Sequence, residues 1–79
     1  MAISWKTATA EKRILWLMDH LGVTETRLAK GAGLSQSTVH RIVAGGSRSH
    51  LTVERLERIA PLLGVTPAQL LDPDAPEPY

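Results

Sequence analysis

The 79 residues contain no cysteine, which rules out a disulfide framework, a Cys-ligated zinc site and a thiol nucleophile, and fits a reducing, cytoplasmic setting. A single domain of this size buries only about 60% of its unfolded surface, leaving little room for a deep catalytic cleft. The net charge is +1 but unevenly placed: Asp72, Asp74 and Glu77 fall in the final stretch, and between Thr24 and His50 the bases Arg27, Lys30, Arg41 and Arg48 face Glu25 alone.

Residues Met1 to Ala8 form an arm without clear period, in which Ile3 and Trp5 have the character to tuck against a body. A helix is expected from Thr9. Ile14, Leu17, Met18 and Leu21 recur at steps of three and four, Glu11 suits the positive end of the helix dipole, and Gly22 stops the run. Asp19 and His20 interrupt the longest apolar stretch, so no membrane span or signal peptide is expected. Trp16 lies off the stripe, leaving two readings: a partner contact, or packing against the arm.

Beyond Gly22 a small device appears four times: Val23-Thr24 with Leu28, Leu34-Ser35 with Val39, Leu51-Thr52 with Leu56, and Val65-Thr66 with Leu70. In each, a hydroxyl residue caps a helix, and the apolar residue before it is spaced to pack on the fourth helical residue. Thr66-Pro67-Ala68-Gln69 adds proline at the first helical position and a capping-box glutamine. The chain bends at Gly31-Ala32-Gly33, and Pro61 should bend or end the helix running from Thr52 towards Leu63. No segment alternates like a strand, and residues 72–79, with three prolines and three acids, read as an extended acidic tail. The expectation is an all-α fold of five helices over residues 9–71, flanked by the arm (1–8) and the tail (72–79).

The helix opening at Ser35 has two unlike sides. Val39 and Ile42 lie on one, while Gln36, Ser37, His40 and Arg41 lie on the other and can hydrogen-bond outside the protein. Arg41 suits guanine O6 and N7, Gln36 suits adenine N7 and N6, and Ser37 is a less discriminating partner. Against this, His40 can equally be an ordinary solvated residue, and its spacing from His20 and His50 suggests no metal site. No paired carboxylates, Gly-rich phosphate loop or Ser, His and Asp arrangement points to an enzyme, and no cofactor or small-molecule ligand is evident.

Leu28-Ala29, Gly33, Leu34-Ser35, Val39, Arg41-Ile42 and Gly45, followed by Leu56, Ile59-Ala60 and Leu63-Gly64-Val65, resemble the phage Cro and repressor helix-turn-helix family, often called Xre-like. The resemblance spans roughly Glu11 to Asp72. It implies a helix-turn-helix made by helices 2 and 3, with the helix from Ser35 to Ala44 in the major groove of double-stranded DNA and Gln36, Ser37, Arg41 and His40 towards bases. Thr24, Thr38, Ser47, Arg48, Ser49 and His50 are then candidates for phosphate contact, although Thr24 and Ser35 serve as caps in any case. It further implies a transcriptional regulator, most simply a repressor working as a homodimer on a palindromic operator. Trp16, the last helix or the tail with Tyr79 are candidate dimer contacts. The alternative is a protein-interaction module of the same fold, an adaptor or antitoxin-like subunit.

Five positions depart from the family pattern. Glu25 stands where glutamine is common and is expected to orient Gln36 or Arg41. Met18 and Val43 stand where an arginine–glutamate pair is frequent, and are expected to pack together. Ala44 and Gly46 replace residues that commonly strengthen the loop's grip on DNA.

Overall fold

A first helical turn leaves backbone N–H groups without partners, and a helix starts where a side-chain oxygen supplies one. The computed structural model, which describes residues 4–45 and 50–79, shows this at α1 (Ala10–Leu21), α2 (Glu25–Ala32), α3 (Gln36–Ala44), α4 (Val53–Leu62) and α5 (Pro67–Leu71). The capping oxygens belong to Thr9, Thr24, Ser35, Thr52 and Thr66, which accept from the N–H of Lys12, Arg27, Thr38, Arg55 and Gln69. At α5 the Gln69 side chain also takes the Thr66 N–H at 2.8 Å, completing the capping box. The fold is all-helical, with no strand among the described residues.

The helices pack around one core. α2 lies against α3 and α4, α1 against α3 and α5, and α5 against α4. Ile14, Leu17, Val39, Ile42, Ile59 and Leu63 are wholly out of water, each contributing about 1.5–3 kcal/mol relative to exposure. Leu21, expected on the inward stripe of α1, is instead 39% exposed. It is the last residue of its helix, where the chain turns back and the Val23 N–H reaches the Met18 carbonyl at 2.9 Å.

Gly31 and Ala32 do not bend, as expected, but belong to α2. Gly31 allows close helix packing: a Cβ there would come within 3.0 Å of the Leu62 side chain on α4. The turn is made at Gly33, whose φ of 70° is left-handed, a conformation glycine adopts without the penalty of a Cβ. At the other marked position, α4 ends at Leu62, so Pro61 occupies the final turn, where little helix remains for it to disrupt.

The described part of the arm and the chain after α5 are more firmly held than their composition suggests. Trp5 is 1% exposed, and its indole Nε1 donates to the Ala75 carbonyl at 3.0 Å. Arg13, also 1% exposed, donates from Nε to the Trp5 carbonyl (3.0 Å) and from Nη1 to the carbonyls of Gln69 (2.9 Å) and Asp72 (2.6 Å), with its guanidinium 4.6 Å from the centre of the Trp5 ring. Arm, α1 and the chain after α5 are thereby fastened together. Residues 72–79 contain no helix, as expected, but they lie as a strap with Ala75 buried instead of running free. Trp16 packs against the arm: its ring meets Trp5 edge-on at 5.2 Å and stacks on His20 at 4.6 Å, and His20 stacks on Tyr79 at 5.7 Å.

Candidate nucleic-acid interface

The turn from α2 to α3 fixes how α3 is presented. After Gly33, the Leu34 N–H donates to the Ala29 carbonyl at 2.9 Å, and Ser35 then opens α3. The inner side of α3 is anchored by Val39, Ile42 and Val43, all buried. Met18 of α1 is buried in the same core where α1 and α3 pack, so apolar burial occupies both positions expected to pack together.

The outer side of α3 carries Gln36, Ser37, His40 and Arg41, all exposed. No described residue engages the side chains of Gln36 or Arg41, which leaves the arginine fork and the amide directed to solvent. The hydroxyls near the start of the helix are mutually bonded: Ser35 Oγ lies 3.2 Å from Ser37 Oγ and 2.8 Å from Thr38 Oγ1. Ser37 and Thr38 therefore already have one partner each, and a hydroxyl retains capacity for another.

Glu25 does not reach Gln36 or Arg41 as expected. Its carboxylate oxygens lie 3.1 and 3.3 Å from His40 Nδ1. As the first residue of α2, Glu25 sits at the positive end of that helix's dipole, and its side chain bridges to α3 at the histidine.

Among the residues expected at phosphates, Thr24 is exposed and its hydroxyl accepts the Arg27 N–H at 3.2 Å. Thr38 is half-buried, and His50 is exposed with its carbonyl held by Arg55 Nη1 at 2.6 Å. Ser47, Arg48 and Ser49, and the departure at Gly46, lie outside the described residues. Arg27 and Lys30 add exposed cationic groups on α2.

One contributor was missed by sequence reasoning. Lys12 of α1 places Nζ 3.5 Å from the Val43 carbonyl and 3.4 Å from the Ala44 carbonyl, setting a cation at the C-terminal end of α3, where the helix dipole is negative. Its position in the first turn of α1 carries no sign of that role, which appears only once α1 is packed on α3. The described helices include none long and apolar enough to cross a membrane.

No curated protein and no solved structure was found to match the chain. A family model does match it, over residues 13–76, from the buried Arg13 through all of α2 to α5 and into the strap. With that match covering most of its length, and with the capped, glycine-turned pair α2–α3 at its centre, the chain belongs to the family of Cro/C1-type HTH DNA-binding domains.

Proposed function

We propose that the protein is a sequence-specific transcriptional regulator reading the major groove of double-stranded DNA, most simply a repressor that occupies a palindromic operator as a homodimer. The observation that carries this reading is the two-sidedness of α3, with Val39, Ile42 and Val43 buried and Gln36, Ser37, His40 and Arg41 presented outward. In this reading Arg41 grips guanine, Gln36 grips adenine, and Ser37 and His40 complete the base contacts. Thr24, Thr38 and His50, with Ser47, Arg48 and Ser49, meet phosphates and set the register without choosing a sequence. A single helix reads few base pairs, so two copies on half-sites about 10 base pairs apart supply the missing specificity.

Selection of bound sites from random duplexes, followed by a salt titration on the selected site, tests the proposal. A palindromic consensus and affinity that falls steeply with salt are expected. A second reading, a protein-interaction module of the same fold, is favoured by the net charge of +1 and by a carboxylate at the start of α2. Duplex binding that is absent or flat with salt would select it.

A further inference from the structure

Among the described residues, the side chains of α2 and α3 exchange one polar contact, that between Glu25 and His40. Both carboxylate oxygens of Glu25 approach the same ring nitrogen, Nδ1, at 3.3 and 3.1 Å. An ionised carboxylate only accepts hydrogen bonds, so a neutral ring in this contact carries its proton on Nδ1. The opposite nitrogen, Nε2, is then left with a lone pair, because the bond made by one imidazole nitrogen sets the state of the other. The His40 side chain is 68% exposed and lies on the same outward side of α3 as Gln36, Ser37 and Arg41.

We propose, resting on the DNA-reading function above, that Glu25 is a positioning residue that fixes His40 as a hydrogen-bond acceptor, so that Nε2 selects base edges bearing an amino group, cytosine N4 or adenine N6. In the major groove these are the donors that guanine and thymine lack. Arg41, which can only donate, selects the opposite class of edge, guanine O6 and N7. Adjacent positions of α3 thus read with opposite polarity.

Long-range proton–nitrogen correlation spectra of the free protein, recorded at about pH 8.5, above the range where histidine ordinarily titrates, report which nitrogen of His40 holds the proton. The expected result is Nδ1–H in the wild type. Glu25→Gln, whose amide both donates and accepts, should give a mixture of the two tautomers. Site selection reads the consequence. The wild type should show a position preferring cytosine or adenine by on the order of five-fold, the worth of one net hydrogen bond. His40→Ala should lose that preference while keeping the guanine position read by Arg41, and Glu25→Gln should relax it. An Nε2–H ring in the wild type, or unchanged base preferences in His40→Ala, would overturn the inference while leaving the DNA reading intact. Wild-type protein that binds no duplex, or binds one without salt dependence, would overturn the DNA reading and this inference with it.

Discussion

Arg13 and Arg41 are the same residue type on two helices of one small domain, in opposite circumstances. Arg13 is buried, and three backbone carbonyls accept from it. Arg41 is exposed, and no described residue engages it. A guanidinium cannot shed its charge, so burying one is tolerable only where acceptors are already in place. At Arg13 the acceptors come from the Trp5 carbonyl and from the carbonyls at the end of α5, where the helix dipole is negative. At Arg41 water supplies them, and under the proposed reading a guanine edge takes the place of that water. The comparison separates an arginine held within the fold through Nε and Nη1, with Nη2 buried and unpartnered, from one that the fold leaves in solvent.

The largest effect that would break this contrast is at the buried end. Arg13→Leu removes the donors and leaves the carbonyls of Trp5, Gln69 and Asp72 without their partner; it should cost about 3 kcal/mol or more. In urea denaturation the midpoint should fall steeply, and the buried Trp5 should lose its native fluorescence earlier than α3 loses helicity. A loss below about 1 kcal/mol would mean that the clasp adds little beyond ordinary packing.

Next in size is Arg41→Ala, which should lower affinity for the selected duplex by about 1–3 kcal/mol and relax preference at one base position. Stability should stay within about 0.5 kcal/mol of wild type, since an exposed side chain without internal partners is being removed. A matched pair of denaturation and binding titrations checks both halves. An Arg41 variant that unfolds easily would make the two arginines alike and defeat the comparison.

A smaller effect is expected at the edge of the clasp. Tyr79→Ala removes a ring stacked on His20 and a hydroxyl 3.5 Å from the Leu63 carbonyl. The residue is 53% exposed, so the loss should be about 1 kcal/mol or less. Near-ultraviolet dichroism should register it through Trp16, the next ring in the stack.

Sequence patterns made the helices legible for a local reason: every start is announced by a hydroxyl residue, and four of the five are preceded by an apolar residue set to fold over the first turn. The outward set on α3 was legible because 3.6-residue periodicity separates Gln36, Ser37, His40 and Arg41 from Val39 and Ile42. What escaped was long-range. Arg13 lies four residues before Leu17, hence on the inward face, but its acceptors are far along the chain at Gln69 and Asp72. Proline and acid content indicate an extended tail after residue 71 but not where it lies, because composition does not register that Trp5 and Arg13 supply donors to it. The direction of Glu25 is likewise long-range: its departure from the family pattern leaves Gln36 and Arg41 equally open as partners, and only the packed α2–α3 geometry selects His40.

Lys12 joins the two regions, since it belongs to the same helix as Arg13 yet reaches the helix that carries Arg41. Its contacts with the Val43 and Ala44 carbonyls are long and half in water, so Lys12→Met, which keeps the aliphatic stem, should cost only about 0.5 kcal/mol. That cost should shrink as salt rises, because a partly solvated cation at a helix end is screened, whereas the loss in Arg13→Leu should persist. If Lys12 acts by steadying the end of α3, duplex affinity should fall slightly and alike on every sequence, with base preferences intact. A change in base preference in Lys12→Met would show that α1 takes part in reading, and the division between a self-contained clasp and an outward reading face would then have to be redrawn through this residue.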